Sequence, residues 1–423
     1  MNTKKRNIIL LFLNLSLVGS FNTLDAGTGG SGFSRYGLGD LQYNRSTAAI
    51  GMGGTGISIV DPTHINRLTP AGWTKISHTR FTIDAMYQGF SISDNSDKTF
   101  LSSIVFNGFD LAIPVSIDNG VVVGAGLLPF SRVNYNIVSQ ELFGDKYYDL
   151  SYVGEGGLSV AHIGGSLILS NDFHIGGKLN YTFGTINHNI KQSFATEGYT
   201  SFELFRSTRM HGLSGTLGLI YSGFDKLLSL KDTEKLNAGI IFTTSSNLKT
   251  EAERWYDYMD KGGIIARDTI QTVTDKIKIP AAFGFGASYI HNNRYQFAAD
   301  YSFRNWEKAN LSGLISHDIK NGSRISLGAE ILPVRTPKAT DWQKVGYRAG
   351  FYYDQTYYNI KGEPINETGF TLGSDFPVFG ETRLSIGLEY VLRGTKNLQK
   401  DNIFKISFGL EGAELWFVRP EED

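Results

Sequence analysis

Gly51, Gly53 and Gly56 have the G-x-G-x-x-G spacing with which a tight turn brings backbone amides up to the pyrophosphate of a dinucleotide. That chemistry needs a buried strand ahead of the first glycine and a helix after the third. Here Asn44-Arg-Ser-Thr-Ala-Ala-Ile50 comes before, and Ile57-Ser-Ile-Val60 runs into Asp61-Pro62, which cannot open a crossover helix of useful length. The glycines suit a compact backbone that turns sharply and lies close against a neighbour.

The other reactive residue types form no constellation. Among eight histidines, His162, His174 and His291 could supply the base of a membrane hydrolase, yet nothing in the spacing joins them to a serine and a carboxylate. No two histidines have metal-ligand spacing. Folding a hairpin about Asn171-Asp172 sets His174 opposite Leu169 and leaves His162 about 23 Å along the strand, while His188, near the start of a long polar stretch, reads as solvated. With no cysteine, disulfides, thiolate zinc sites, cysteine nucleophiles and lipoprotein anchoring are excluded. No catalytic residue, metal or cofactor is expected.

The elements around these residues say more. In 423 residues there are 49 glycines, 10 prolines, 13% aromatics and a formal charge of −1, which favours a large β structure and gives no basic field for nucleic acid. Lys4, Lys5 and Arg6 precede the apolar run Ile8 to Gly19, with small residues at Ser20 and Ala26. This predicts a cleaved export signal over 1–26, since the run is shorter than the ~20 residues that span a bilayer.

Beyond it, Phe173-His-Ile-Gly-Gly-Lys-Leu-Asn-Tyr-Thr-Phe183 alternates apolar with polar positions, as a strand with one greasy and one wet face does. Arg324-Ile-Ser-Leu-Gly-Ala-Glu330, Arg383-Leu-Ser-Ile-Gly-Leu-Glu389 and Lys405-Ile-Ser-Phe-Gly-Leu-Glu411 repeat one polar face of base, Ser, Gly and Glu. Three such strands imply a repeated structural task.

Tight turns are predicted at Asp118-Asn-Gly120, Ser170-Asn-Asp172, His291-Asn-Asn293 and Lys320-Asn-Gly322. Long loops are predicted over 138–154, 191–209 and 249–277. Short turns on one side and long loops on the other are the asymmetry of an outer-membrane barrel, and Tyr181, Phe183, Tyr390, Trp416 and Phe417 suit its aromatic girdles. The expectation is an all-β, antiparallel transmembrane β-barrel over 78–423, in the outer membrane of a Gram-negative bacterium. About fourteen or fifteen strands can be counted, and an even number is required, so one boundary between 306 and 380 is expected to move. Residues 27–77 do not alternate but carry Tyr36, Leu38, Leu41, Tyr43, Ile50 and Met52 to bury, which predicts an N-terminal hatch plugging the lumen.

The succession Phe33-Ser-Arg-Tyr-Gly-Leu-Gly-Asp40, Gly51-Met-Gly-Gly-Thr-Gly56, Asp61 and Thr69-Pro-Ala-Gly72 resembles the hatch of the FadL/TodX family of outer-membrane transporters for long-chain fatty acids and hydrocarbons. The resemblance continues through 120–135, 156–164, 279–289 and Glu414-Leu-Trp-Phe417, and so spans most of the mature chain. It implies a fourteen-stranded barrel, closed by its hatch, that takes a hydrophobic ligand from outside and releases it sideways through a kink in the third strand. The hatch motif falls on Thr69, Pro70 and Ala71, where the family usually has Asn-Pro-Ala, and threonine keeps one hydroxyl there. The lateral opening falls on Leu128, Pro129 and Phe130, because proline removes a ladder donor and belongs at a break or at a strand end.

Thr250-Glu-Ala-Glu-Arg-Trp-Tyr-Asp-Tyr-Met-Asp260 reads as a short amphipathic helix on an outer loop. Its Trp255, Tyr256, Tyr258 and Met259 either hold ligand at the surface or pack the loop on itself. The function expected is passive uptake of hydrophobic small molecules without a cofactor. The partners would be that ligand, outer-membrane lipid and the barrel-assembly machinery during biogenesis. The resemblance also leaves open a binding or assembly protein linked to type IX secretion, with a protein partner at the outer loops.

Overall fold

A computed structural model of the chain describes residues 27–43, 45–93, 97–144, 146–194, 200–260, 263–311, 314 and 319–414. The expected signal over 1–26 and the girdle residues Trp416 and Phe417 lie outside them. Two short strands come first, β1 (Gly27–Thr28) and β2 (Asp40–Leu41). The wall follows as β3 (Thr79–Ser93), β4 (Lys98–Ser116), β5 (Val121–Phe143), β6 (Lys146–Ser170), β7 (Phe173–Phe194) and β8 (Ser201–Tyr221). Next come β9 (Lys235–Thr243), β10 (Ser246–Asp260), β11 (Gly263–Ile279) and β12 (Ala282–His291). The wall ends with β13 (Tyr295–Arg304), β14 (Gly322–Ile331), β15 (Gly346–Ile360), β16 (Glu363–Phe379), β17 (Thr382–Gly394) and β18 (Lys400–Glu414).

Neighbouring wall strands pair antiparallel, and β18 closes on β3 from Glu414↔Thr79 to Lys400↔Ser93. Across the breaks at 244–245 and 280–281 the same register continues, Thr243↔Ala282 and Ser246↔Ile279, so β9 with β10, and β11 with β12, are single interrupted spans. The closed barrel therefore has 14 spans, and its two ends return to one side. The expected boundary error sits at Lys320-Asn-Gly322. That stretch is no tight hairpin but the end of a connection from 305, whose described residues contribute to the ladder the isolated bridges Lys278↔Asn310 and Ile319↔Tyr358.

Alternation places side chains as the period of two demands. On β3, Phe81 and Ile83 face out while Arg80, Thr82 and Asp84 are buried within. Exposed Leu127, Leu179, Leu217, Phe285, Leu372 and Phe408 continue an apolar outer belt around the ring, which only lipid would cover. The chain is a multi-pass outer-membrane barrel. Tyr181 stands on the outer face stacked on Phe183 (5.6 Å between centroids), and Tyr390 is also exposed.

The predicted long loops are a correction. Residues 138–154, 191–209 and 249–277 are mostly strand, because β5 to β8 and the β10–β11 hairpin continue their ladders past the belt. Past the bilayer the outward face meets water in place of lipid, so the lipid-facing apolar row ends although the hydrogen bonds continue. The hairpin of β6 and β7 also carries an irregularity near Leu169, so His174 lies opposite Ile168 rather than Leu169, and His162, opposite Asn180, is about 20 Å away along the strand.

Candidate functional site

Residues 29–77 lie against inward side chains from around the ring, so this segment occupies the lumen. A short helix, Thr47–Gly51, is capped by the Ser46 hydroxyl, which accepts from Ala49 N at 3.3 Å. The amides of the G-x-G-x-x-G stretch point at the wall. Gly53 N donates to the Thr371 hydroxyl at 2.9 Å, and Gly56 N and Ile57 N donate to the Asp300 carboxylate at 2.7 and 3.0 Å. A carboxylate of β13 thus takes the place a phosphate would need.

The wall makes room for this backbone with glycine. A Cβ on Gly350 would meet Gly53 N at 2.0 Å, and one on Gly328 would meet Met52 O at 2.5 Å. Gly387 and Gly409 open the same space for Thr47. The repeated base-x-Ser-x-Gly-x-Glu strands are explained by this: glycine admits the segment while the bases and acids beside it form the charge network below.

Thr69, Pro70 and Ala71 lead into a short 3-10 helix, Pro70–Lys75, packed on β7 and β8, where Cβ atoms on Gly176 and Gly218 would strike Pro70 and Thr69. The Thr69 hydroxyl has no hydrogen-bond partner among the described residues. The amide contacts come instead from Asn66, three positions earlier. Its Nδ2 donates to the carbonyls of Gly56 (2.7 Å) and Ile59 (2.9 Å), and its Oδ1 accepts from the amides of Leu68 and Thr69.

Charged contacts fix the segment: Asp40 pairs with Arg393 at 2.9 Å near its start, and two larger anchors, at Arg67 and His64, hold its base. Arg67, buried, pairs through Nε with Asp110 (2.5 Å) and through Nη2 with Asp84 (2.6 Å), while Nη1 donates to the carbonyls of Arg45 and Asn107. His64 meets Asp61 at 2.6 Å, Glu411 at 3.1 Å and Asp375 at 3.4 Å. Burial alone would lower the His64 pKa, but the surrounding carboxylates of Glu411, Asp61 and Asp375 outweigh it and hold it well above its ordinary value. Burial would raise Asp61, but His64 and the Thr63 hydrogen bonds hold its carboxyl below the usual range.

Above this network lies a cavity of about 240 Å³ between the segment and the wall. Leu41, Leu68, Leu128, Phe130, Val160 and Trp306 give it an apolar lining. Arg45 and Arg304 also line it, and neither has an ion-pair partner among the described residues. Arg45 stacks on Tyr43 (4.7 Å) and Arg304 on Trp306 (5.3 Å). Burial, with Arg324 nearby, pulls the Arg45 pKa down to about 10. Higher still, Phe33, Leu38, Tyr135, Met210, Leu248 and Trp306 belong to one buried apolar cluster that fills the outer half of the lumen.

The residues expected to form a side opening meet this cavity. Leu128 and Phe130 line it; on the β6 side Phe130 is the unpaired residue between Pro129↔Ser159 and Ser131↔Leu158, a bulge. On the other side β5 pairs with β4 no higher than Phe109↔Leu127. Above that level β4 turns away at Gly108 (φ 129°), and the N-terminal segment fills the seam. There β1 runs parallel to β4 at Leu101–Ser102, β2 pairs with β5 as Asp40↔Arg132 and Leu41↔Ser131, and Gln42 N donates to Phe130 O at 2.8 Å.

Trp255, Tyr256, Tyr258 and Met259 lie on strand β10, not on a loop helix, because residues 249–259 pair in unbroken register with β8. Alternation sends Trp255 and Met259 to one face and Tyr256 and Tyr258 to the other. Trp255 stacks on Phe205, 5.1 Å apart and 12° from parallel. The four side chains form no common patch.

The sequence reading did not single out Arg45, Asp300, Arg304, His64 or Arg67. Asp300 and Arg304 were legible in principle, since Tyr301 and Phe303 alternate with them, but Arg45, His64 and Arg67, in the non-repeating segment, left no periodic signal. Among the described residues no group of three or more metal-ligating side chains converges.

A family profile described as BamG matches residues 4–421. Among curated proteins nothing matches the sequence. Among solved structures, the P. putida toluene transporter TodX superposes with a TM-score of 0.58 at 16% identity, over 92% of this chain and 100% of that one. The Ralstonia pickettii toluene transporter TbuX gives 0.56 at 13% identity, over 87% and 98%. A FadL homologue of Pseudomonas aeruginosa gives 0.56 at 12% identity, over 89% and 98%. The resemblance to the FadL/TodX fold read from the sequence is thereby seen in three dimensions; at these identities the likeness is one of fold.

Proposed function

The chain belongs to the BamG family, and from that premise and the geometry of its lumen we propose that it is a non-enzymatic outer-membrane channel for passive uptake of hydrophobic small molecules. The observation that carries this reading is the mainly apolar cavity whose lining includes Leu128 and Phe130 at the seam between β4 and β5. The neighbours TodX and TbuX are titled toluene transporters, which supports a hydrophobic cargo. Each methylene of a ligand moved into such a lining gains about 0.8 kcal/mol.

Between the two expected ligand classes, Arg45 and Arg304 favour a long-chain fatty acid over a neutral hydrocarbon. A buried cation without a counter-ion is costly, and a carboxylate would relieve two at once. Release is sideways: when residues 27–42 leave the seam, the cavity opens towards lipid beside Pro129. Uptake of labelled oleate and of toluene by cells with and without the gene tests the proposal. Equal uptake of both ligands in the two strains would sink it, and Pro129→Val should slow release by restoring a ladder donor at the bulge.

One observation supports the second reading, a protein partner at the outer face. The edge of β11 over Gly263–Ile277 pairs with β10 on one side and with no strand on the other among the described residues, so its backbone groups could take an added strand. Co-purification of a stable partner that is lost when this edge carries proline would favour that reading. The apolar cavity has no role in it, so uptake is the conclusion preferred.

A further inference from the structure

We propose that the tall side of the wall holds an oxyanion site above the apolar cluster, formed by Arg206 and Arg254 with His188 and Arg35, and that it receives the head group of an anionic amphiphile. Strand register builds the row. Arg206 on β8 lies directly opposite His188 on β7 and directly opposite Arg254 on β10, and side chains so paired stand about 5 Å apart at Cβ. His188 is opposite Gly154 on β6, whose missing side chain leaves room for Tyr135 of β5 to reach the imidazole, 2.8 Å from its Nδ1. Arg35 comes in from the N-terminal segment, 4.2 Å above the ring of Tyr152, one pleat further up β6.

The row has unpaired donors and no carboxylate. Arg206 Nε and Nη2, Arg254 Nε, Arg35 Nε and His188 Nε2 are enclosed, and none has a hydrogen-bond partner among the described residues. Alternation turns the nearby acids outward: Glu203 takes the Asn189 amide, and Asp257 pairs with Arg267 at 2.6 Å. Asp268, opposite Tyr256 on the inner face, is exposed and forms no ion pair with either arginine. Two neighbouring guanidiniums with enclosed, unsatisfied N–H groups repel each other and are undersolvated, and a carboxylate or phosphate corrects both faults through charge-assisted, fork-shaped hydrogen bonds.

Immediately below the row on the same face lie Ile186, Thr208 and Ala252, all buried, with Met210 one pleat further down. An anionic head at the arginines would therefore have its tail over apolar wall, directed towards the cavity. That direction rests on the uptake reading; the existence of the site does not.

Equilibrium dialysis of the full-length chain in neutral detergent against labelled dodecyl phosphate and labelled inorganic phosphate tests the site. Dodecyl phosphate should bind, with Arg206→Gln and Arg254→Gln each weakening it about tenfold, the loss of one charge-assisted contact. Arg206→Lys should keep most of the affinity, and Arg209→Gln, on the outward face, all of it. Protection of Arg206 from phenylglyoxal by dodecyl phosphate, read by mass spectrometry on the unaltered chain, needs no variant to fold. Unchanged binding in both Gln variants, or no protection, would overturn the proposal. Inorganic phosphate binding as tightly as dodecyl phosphate would overturn the head-group assignment. Because no transport is measured, equal uptake in cells with and without the gene, with this binding intact, would count against the uptake reading alone.

Discussion

The inner and outer halves of the lumen are filled in different proportions of charge and apolar packing. In the inner half, Arg67, His64, Asp84, Asp110, Asp375 and Glu411 form a buried charge network that ties the N-terminal segment to the wall. In the outer half, Phe33, Leu38 and Trp306 pack with Tyr135, Met210 and Leu248, and one smaller charged contact, Asp40 with Arg393 at 2.9 Å, joins the segment to the wall. Removing one member of a charge network leaves its partners buried and unpaired, so such a plug is held in one position. Apolar packing is non-directional and tolerates rearrangement. The difference teaches that the plug is fixed most heavily at its base; residues 27–42 are held by apolar packing and by the Asp40–Arg393 and Ser31–Asp401 contacts, which must break before they move.

The largest effect expected from breaking this contrast comes from Arg67→Ala, which strands Asp84 and Asp110. The cost is about 3–5 kcal/mol, the segment should detach, and single-channel conductance in planar bilayers should rise with the barrel intact. Phe33→Ala, in the outer half, should leave conductance closed.

Next in size are Arg45→Gln and Arg304→Gln, each expected to weaken oleate binding about tenfold, or ~1.4 kcal/mol, without changing toluene binding. Isothermal titration in detergent reads both, and equal losses for the two ligands would show that the arginines only shape the cavity.

A smaller effect should follow pH. His64 titrates above its ordinary pKa in the folded protein, so the stability it lends is complete below about 6.5 and is lost as pH rises through the folded value. Asp61 titrates below its ordinary value, so its contribution is present above about 3.9 and lost as pH falls further. Protection of the 56–68 amides, taken relative to their intrinsic exchange rates at each pH, should therefore be greatest between these limits and fall on the alkaline side, whereas the protection of residues 33–41 should not follow this pattern.

The smallest effect belongs to Trp255→Ala. It removes one stacking contact on the outer face, worth about 0.5–1.5 kcal/mol beyond lost burial, and should leave oleate uptake unchanged. A fall in uptake would restore a ligand role to Trp255.

How far the sequence could be read follows the same division. The wall was legible wherever one face meets lipid and the other the lumen, as at 173–183 and 383–390, because the bilayer writes a period of two into the strand. Past the belt that contrast ends, and 138–154, 191–209 and 249–277 looked like loops. The N-terminal segment was recognisable as something to be buried, and Thr69-Pro70-Ala71 marked its packing site, but Asn66, not Thr69, makes the amide bridges. Pro129 marked a break in β5. The seam beside it depends equally on Gly108 in β4 and on residues 27–42, which no local pattern joins to Pro129.

The central claim is that ligand leaves through the seam when the N-terminal segment moves. The chain has no cysteine, so Leu41→Cys with Ser131→Cys, a register pair of β2 and β5, can lock the segment with one disulfide. Labelled oleate uptake should stop when this variant is oxidised and recover on reduction, with oleate still bound in the locked protein. Uptake at the same rate in the oxidised and reduced states would contradict the account.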